Sequence, residues 1–230
     1  MSFHNITVAG GGVLGSQIAF QAAYTGFHVK IWLRSQASIG RCQPKLDRLY
    51  KIYLGILEEM KHNPAAYARG LSKKQNLSEA EIEELKERVE KAYRSIELTT
   101  SYEEAAKDAD LVIEAIAENI EEKEAFYTEL AKYLPERTVI ATNSSTLLPS
   151  SFAQFTGRPD KFLALHFANN IYRSNTAEVM GHAGTKQVYY DQVVEFAEQI
   201  NMIPLKVLKE QPGYILNSML VPFLTAAESL

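Results

Sequence analysis

A short apolar run leads directly into a glycine-rich turn near the start of the chain, and this junction constrains the fold more than any other feature. Residues 6–9 read ITVA, and residues 10–15 carry the pattern G-x-G-x-x-G. Small and apolar residues then recur at helical spacing from residue 18. A strand, a glycine turn and a helix in this order are typical of the start of a dinucleotide-binding unit.

Each glycine of the pattern has a separate physical task in such a turn. Gly10 permits the tight turn, Gly12 lets the backbone approach a pyrophosphate, and Gly15 lets the helix lie close to the strand. The helix opens at Val13 and Leu14, where free N–H groups and the positive end of the dipole favour a phosphate. We therefore predict that these five residues bind the phosphates of a dinucleotide.

Strand and helix patterns alternate along the rest of the chain. The segments typical of strands are 28–33, 96–98, 111–117, 138–142, 162–166, 176–180 and 203–207. The run at 111–117 is almost continuously apolar, which suits a parallel strand covered on both faces. The predicted fold class is α/β, with a doubly wound Rossmann-type sheet.

Two helical patterns interrupt this alternation between about residues 37 and 95. The second begins at Ser78, where the sequence SEAE forms a capping box. We predict a helical hairpin inserted in a dinucleotide-binding domain of residues 1–210. We predict that residues 211–230 are the first helix of a truncated, all-helical C-terminal domain. An apolar helix that nothing covers is unstable alone, so either further residues or another chain would cover it.

The end of the second strand bears on the choice between NAD and NADP. An NAD site has a carboxylate there for the ribose 2′-hydroxyl, whereas a nearby arginine suits a 2′-phosphate. The sequence Leu33-Arg34-Ser35 has no carboxylate, so Arg34 could bind a phosphate, with Ser35 adding a hydroxyl. The alternative is that Arg34 is a solvated surface residue. The predicted cofactor is NAD or NADP, and NADP is favoured.

Polar side chains follow two of the predicted strands. Glu118 follows the run at 111–117, and Asn143 and Ser145 follow the strand at 138–142. Ligands of open α/β sheets bind at the carboxyl ends of the strands. These side chains should therefore lie on one rim with the glycine turn and Arg34.

One histidine and one glutamate occupy the two short strands at 162–166 and 176–180. If these strands pair antiparallel about residue 172, His166 lies directly opposite Glu178. A carboxylate beside an imidazole fixes its tautomer and favours its charged form. This arrangement is what a general base needs when it takes a proton from a hydroxyl. A lone histidine at a strand end is usually structural, so the opposing carboxylate is what favours catalysis.

Composition argues against several classes of partner. The net charge is −4 and no Lys/Arg block stands out, so nucleic-acid binding has no electrostatic footprint. No apolar run approaches the roughly 20 residues that span a bilayer. Cys42 is the single cysteine, which excludes an internal disulfide and fits a reducing compartment. The first strand begins too early to leave room for a signal peptide. We predict a cytoplasmic protein without nucleic-acid, membrane or metal partners.

Taken together, the motifs resemble the 3-hydroxyacyl-CoA dehydrogenases, including the bacterial 3-hydroxybutyryl-CoA dehydrogenases. The similarity covers the whole chain and rests on GGGVLG at 10–15, IEAIAENIEEK at 113–123, TNSST at 142–146, LHFAN at 165–169, AEVM at 177–180 and QPGYILNSMLVPFL at 211–224. The resemblance implies interconversion of (S)-3-hydroxyacyl-CoA and 3-oxoacyl-CoA in fatty acid metabolism, by hydride transfer with a nicotinamide. It also implies a homodimer built mainly by C-terminal helices.

The resemblance further implies roles for individual residues. His166 would be the acid/base and Glu178 its orienting partner, while Ser145 and Asn217 would hydrogen-bond the reacting oxygen or the thioester carbonyl. The implied cofactor contacts are Glu118, Lys123 and Asn143. Two departures from the family pattern are the missing acid at Leu33 and the sequence Asn169-Asn170, where Asn-Pro is usual. They leave the preference for NAD and the acyl specificity open.

Two other classes of protein stay open. A β-hydroxyacid or sugar-type dehydrogenase on a similar scaffold would have a catalytic lysine in the later helices, and none stands near Asn217. A non-catalytic nucleotide-binding protein is supported only by the short helical region at the end of the chain.

Overall fold

One eight-stranded sheet forms the centre of the computed structural model, which describes residues 3–229. The order of the strands is β3-β2-β1-β4-β5-β6-β7-β8. The strands are β1 Asn5–Ala9, β2 His28–Trp32, β3 Glu97–Thr99, β4 Leu111–Glu114, β5 Val139–Thr142, β6 Phe162–Phe167, β7 Thr176–Gly181 and β8 Ile203–Val207. All neighbouring strands pair parallel except β6 and β7, which are antiparallel. The predicted α/β fold is confirmed.

Helices cover both faces of this sheet. They are α1 Val13–Tyr24, α2 Gln36–Met60, α3 Glu79–Ser95, α4 Tyr102–Ala106, α5 Ile120–Leu130, α6 Pro149–Phe152 and α7 Gln187–Gln199. A last helix, α8 Leu216–Glu228, follows β8. The larger apolar core joins one face of the sheet to α1, α2, α3 and α7. A smaller core on the opposite face includes Phe126 of α5 and Phe152 of α6. This arrangement is the doubly wound architecture that the sequence predicts.

The strand order reverses between β1 and β4. From β1 the chain builds outward through β2 and β3, and from β4 it builds in the other direction through β5 and β6. The carboxyl ends of β1 and β4 therefore border a topological switch point, which is where open α/β sheets bind ligands. The glycine turn follows β1 directly.

The predicted helical hairpin is formed by α2 and α3. Ser78 caps α3 through its side chain, and the Glu81 carboxylate accepts from the Ser78 N–H at 2.8 Å, so the capping box is confirmed. Two phenols join the helices: Tyr50 donates to Glu90 at 2.6 Å, and Tyr93 donates to Asp47 at 2.7 Å. The hairpin is thus a packed part of the sheet domain.

Strand β4 is shorter than the apolar run at 111–117 predicts. It ends at Glu114, whose side chain accepts a hydrogen bond from the N–H of Ile116 at 2.8 Å. The chain leaves the sheet after this point, and the carbonyl group of Ala115 lies against Gly10 of the glycine turn. The apolar pattern did not distinguish the buried strand from the loop that continues it.

Helix α8 contains no buried residue, and its apolar side chains include Met219 at 71% exposure and Phe223 at 70%. The predicted division of the chain at residues 210 and 211 stays a prediction. Within residues 3–229, no helix combines the length and the apolar character needed to cross a membrane.

Candidate active site

The glycine turn is packed tightly on one side and open on the other. Gly10 has a φ of +118°, and a Cβ built there would lie 2.4 Å from the carbonyl oxygen of Ala115. A Cβ on Gly15 would lie 2.1 Å from the carbonyl oxygen of Gly10. Within residues 3–229, no heavy atom other than those of Gly12 and its two chain neighbours lies within 4 Å of a Cβ built on Gly12. Gly10 and Gly15 therefore close the turn, and Gly12 leaves space beside the start of α1.

Two cavities meet at this open side of the turn. The larger one, about 660 Å³, extends from Gly10 and Gly12 to Arg34 and Lys45. The smaller one, about 190 Å³, is lined by residues 12–15 together with Glu118, Asn143 and Ser145. Gly12 and Ile116 line both cavities. The structure thus brings together the predicted turn, strand-end and rim residues, on the two sides of one glycine.

Cationic side chains line the wall of the larger cavity. Arg34 is 72% exposed in its side chain, and its Nη1 lies 3.2 Å from Glu122 Oε2. Arg41 donates to Ser38 Oγ at 2.8 Å, and Lys45 Nζ donates to the Arg41 carbonyl at 2.5 Å. Sequence reasoning missed Ser38, Arg41 and Lys45. Their spacing of three and four residues places them on one face of α2, which was the available signal.

A buried cluster of ion pairs lies next to the smaller cavity. Lys123 is 1% exposed, and its Nζ lies 2.6 Å from Glu114 Oε1 and 3.2 Å from Glu118 Oε2. Glu118 Oε1 also accepts from Ser144 Oγ at 2.6 Å and from the Ser145 N–H at 2.8 Å. Burial alone would raise the pKa of Glu118, but these hydrogen bonds and the Lys123 charge outweigh it and lower the pKa. The Glu118 carboxylate is therefore charged at neutral pH.

Glu114 is a site residue that the sequence reasoning did not assign. It is fully buried, and its Oε2 accepts from Tyr127 at 2.7 Å and from Thr142 at 2.8 Å. The available signal was a carboxylate inside an apolar strand. The Lys123 ammonium lies between Glu114 and Glu118. Glu118 lines the smaller cavity and Lys123 does not, so Lys123 acts on the cavity by holding the Glu118 carboxylate.

The predicted pairing of His166 and Glu178 is confirmed. The two residues lie directly opposite in the β6–β7 ladder, and His166 Nδ1 is 2.8 Å from Glu178 Oε2. Both are buried, with exposures of 4% and 2%. Glu178 Oε1 accepts from the N–H groups of Ile215 and Leu216, each at 2.8 Å. An ionised carboxylate only accepts, so Nδ1 is the donor, and in the neutral imidazole Nε2 is then an acceptor.

Electrostatics favour the ionised form of Glu178. Burial raises the pKa of this carboxyl group, but the hydrogen bonds from His166, Leu216 and Ile215 outweigh the burial and lower it overall. The charge on Glu178 can therefore stabilise a positive charge on the imidazole of His166. This arrangement can hold and release one proton.

Two of the remaining predicted site residues, Asn143 and Asn217, are linked to this pair through the backbone. Asn143 Oδ1 accepts from the N–H of Phe167 at 3.1 Å, which joins the end of β5 to the residue after His166. Asn217 lies in the first turn of α8, directly after Leu216. Within residues 3–229, the side chains of Ser145 and Asn217 form no hydrogen bond, so both are available to a ligand.

The loop after β6 explains one departure from the family pattern. Asn170 has a φ of +60°, and its N–H donates to Gln17 Oε1 at 2.8 Å. Proline has its φ fixed near −65° and has no N–H. A proline at position 170 is therefore incompatible with this loop, which is tied to α1 through Gln17.

Comparisons with known proteins identify the family of the chain. Residues 5–211 match the family model described as 3-hydroxyacyl-CoA dehydrogenase, NAD binding domain. The chain is 33% identical over 226 residues to the mitochondrial hydroxyacyl-coenzyme A dehydrogenase of Sus scrofa, covering 98% of this chain and 65% of that protein. It is 31% identical over 222 residues to 3-hydroxybutyryl-CoA dehydrogenase of Clostridioides difficile, covering 96% and 69%.

A solved structure gives a further comparison. It is described as a diketoreductase in substrate-directed dual catalysis of dicarbonyl compounds, and it superposes with a TM-score of 0.83 at 43% identity. The match covers 99% of this chain and 72% of that one. The chain thus spans about 65% of the length of the pig enzyme and 72% of the length of the diketoreductase.

Proposed function

The chain belongs to the 3-hydroxyacyl-CoA dehydrogenase family, and from this membership we propose that it interconverts (S)-3-hydroxyacyl-CoA and 3-oxoacyl-CoA with a nicotinamide cofactor. The observation that carries the proposal is the buried pair of His166 and Glu178, with Nδ1 held 2.8 Å from a carboxylate oxygen. A general base of this kind is what removal of a hydroxyl proton during hydride transfer requires.

The residues around the glycine turn fit a dinucleotide. The open side of Gly12 leaves room for a pyrophosphate beside the N-terminus of α1, whose first turn contains no acidic residue. Val13 and Leu14 begin that helix, and we assign them, with Gly10, Gly12 and Gly15, to the phosphates. The cavities on either side of Gly12 would then hold the two halves of the cofactor.

The proton chemistry follows from the tautomer of His166. When bound, the nicotinamide supplies or accepts the hydride at carbon 3 of the substrate. In the oxidation direction, Nε2 of His166 takes the proton from the hydroxyl, and the Glu178 carboxylate stabilises the resulting imidazolium. In the reduction direction, the same nitrogen returns the proton to the oxygen on carbon 3.

We assign the other predicted residues to binding. The side chains of Ser145 and Asn217, which form no hydrogen bond to any residue of 3–229, would hydrogen-bond the reacting oxygen or the thioester carbonyl. Glu118 and Asn143 line the smaller cavity and would contact the cofactor. Lys123 would act by holding Glu118, since its ammonium is enclosed by two glutamates.

A second candidate function is reduction of free dicarbonyl compounds. The 43% identity to the diketoreductase structure favours it. A 3-oxoacyl thioester is itself a 1,3-dicarbonyl compound, so both candidates use the same proton and hydride chemistry. They differ in whether the CoA portion contributes binding energy to the reaction.

Acetoacetyl-CoA and ethyl acetoacetate distinguish these two functions. We expect kcat/KM for acetoacetyl-CoA to exceed that for the ester by about 100-fold, because binding of the remote CoA portion lowers the barrier at the reacting centre. Absorbance of the reduced nicotinamide measures both rates with the full-length protein. Equal kcat/KM values would assign the chain to free dicarbonyl compounds, and no turnover of either would refute the proposal.

We also propose that the cofactor is NADP(H). Arg34, Arg41 and Lys45 line the larger cavity, and the end of β2 supplies no carboxylate for a ribose 2′-hydroxyl. Replacing Arg34 with alanine should raise the Kd for NADPH by about ten-fold or more, since a charge-assisted hydrogen bond contributes roughly 1.5–3 kcal/mol and 1.4 kcal/mol is about ten-fold. The Kd for NADH should change less than two-fold in a fluorescence titration.

The matched control for this prediction is Arg48→Ala. Arg48 is an exposed arginine of α2 that does not line the larger cavity, so its removal changes net charge equally. The Arg48 variant should bind NADPH as the wild type does. Equal weakening of NADPH and NADH by Arg34→Ala would contradict a 2′-phosphate site.

Two sequence predictions about location and assembly are part of the proposal. The exposed apolar side chains of α8, such as Met219 and Phe223, support a homodimer that includes C-terminal helices, because such a surface is stabilised when covered. The buried free thiol of Cys42 supports a cytoplasmic location.

A further inference from the structure

The aromatic ring of Tyr214 lies on the imidazole of His166. The ring centroids are 4.7 Å apart, and the planes are inclined by only 17°. Tyr214 is 1% exposed and packs with Ala164, Met180 and Val207 against the same region of the sheet. One face of the imidazole is therefore covered by a flat aromatic surface, while Glu178 fixes its edge at Nδ1.

The backbone at Tyr214 is in an unfavourable conformation. Its φ is +54°, a region that side chains other than glycine adopt rarely and at a cost in free energy. The preceding Gly213 is also left-handed, with a φ of +79°. The following N–H groups, of Ile215 and Leu216, donate to Glu178. The strained turn thus places the ring of Tyr214 on His166, and it places two N–H donors on Glu178.

The hydroxyl of Tyr214 does not explain this placement. Its oxygen is buried and has no hydrogen-bond partner within residues 3–229. Burial, and then the nearby carboxylates of Glu118, Glu178 and Glu114, raise the pKa of the phenol well above its usual value. The phenol therefore stays neutral and unpaired, and what the residue supplies to the pair is its ring.

We propose that Tyr214 is a positioning residue whose ring holds the His166 imidazole so that Nδ1 stays on Glu178 and Nε2 stays aimed at the substrate. This inference rests on the proposed function, in which His166 is the acid/base. The hydrogen bond to Glu178 fixes the imidazole at one edge, and stacking on Tyr214 restricts the tilt of the ring about that edge. A displacement of about 1 Å in a reacting group can lower a rate about 100-fold.

Substitutions that separate the ring from the hydroxyl test this role. In Tyr214→Leu, we expect kcat for acetoacetyl-CoA reduction to fall about ten-fold or more while KM for the cofactor changes less than two-fold. In Tyr214→Phe, kcat should stay within about two-fold of the wild type, and the melting temperature should rise because an unpaired buried hydroxyl is removed. The control is Phe196→Leu, which removes a fully buried ring of α7, where it packs on Phe27.

A readout that does not require turnover accompanies the kinetics. The Nδ1 proton of His166 should give a downfield ¹H resonance that is missing in His166→Ala. We expect this resonance in Tyr214→Phe and in Phe196→Leu, and its broadening or loss in Tyr214→Leu, where the imidazole is free to rotate. If Tyr214→Leu fails to bind the cofactor, Tyr214→Met takes its place, since methionine fills volume without a flat face.

The possible outcomes distinguish the two proposals. A wild-type protein without turnover refutes the proposed function, while the resonance still reports on Tyr214. An active wild type whose Tyr214→Leu variant keeps its kcat and a sharp resonance overturns the positioning role. A loss of kcat in Tyr214→Phe equal to that in Tyr214→Leu also overturns it, because the hydroxyl would then be the required group.

Discussion

Replacement of His166 by alanine should lower kcat for acetoacetyl-CoA reduction by about 1,000-fold, within the roughly 100- to 10,000-fold that general acid–base catalysis contributes. The imidazole is the group that Glu178 holds in a defined tautomer, 2.8 Å from its carboxylate. The Kd for the cofactor should stay within two-fold, since His166 lines neither cavity at the glycine turn. Steady-state kinetics and a fluorescence titration measure the two quantities separately.

Two variants make this prediction specific. Glu178→Gln keeps the size of the side chain but removes the charge that stabilises an imidazolium, so kcat should fall to a value between those of the wild type and His166→Ala. His182→Ala is the matched control, because His182 lies outside the site, with its Nε2 atom 2.8 Å from the carbonyl oxygen of Pro159. It should retain full activity. Wild-type turnover in His166→Ala would remove this residue from the mechanism.

Replacement of Gly15 by alanine should destabilise the folded chain by roughly 3 kcal/mol, at the upper end of the usual cost of overpacking. A Cβ at this position would lie 2.1 Å from the Gly10 carbonyl oxygen, a backbone atom that cannot rotate away. The helix α1 would have to move from β1, which would also open the phosphate site. We expect the melting temperature to fall by about 10 °C and cofactor binding to be lost.

Two other glycines provide the controls. The methyl group of Gly12→Ala lies within 4 Å of no described residue beyond its chain neighbours, so the melting temperature should stay unchanged. Binding of the cofactor should weaken, because the methyl group enters the space of the cofactor. Gly55→Ala also meets no atom, and it lies within α2, outside both cavities at the turn. It should leave binding unchanged and stabilise the helix by up to about 1 kcal/mol. A Gly15→Ala protein as stable as the wild type would contradict the packing argument.

The parts of the site that the sequence predicted depend on local rules. The antiparallel ladder about residue 172 requires His166 and Glu178 to face each other, and the structure has them in that register. The steric demand at Gly15 is equally local, because it arises against the carbonyl oxygen of Gly10 within the same turn. Ser78 likewise identified the start of α3 through a capping box within four residues.

The parts that the sequence did not reveal depend on tertiary contacts. Glu114 is hidden in an apolar run, and its partners Tyr127 and Thr142 come from a helix and a strand that only folding brings together. The wall formed by Arg41 and Lys45 depends on where α2 begins and how it rotates over the cavity. Tyr214 reaches His166 through a left-handed backbone turn, which no propensity at a tyrosine predicts.

Two backbone N–H groups on Glu178 connect the acid/base pair of the sheet to the segment that begins α8. The N–H groups of Ile215 and Leu216 donate to Oε1 of Glu178, whereas His166 contacts Oε2. A movement of α8 away from the sheet would break both of these hydrogen bonds to Glu178. It would also separate the ring of Tyr214 from the imidazole of His166. Proton transfer would then occur only while these contacts are intact, and the pair would be inactive whenever α8 had moved away.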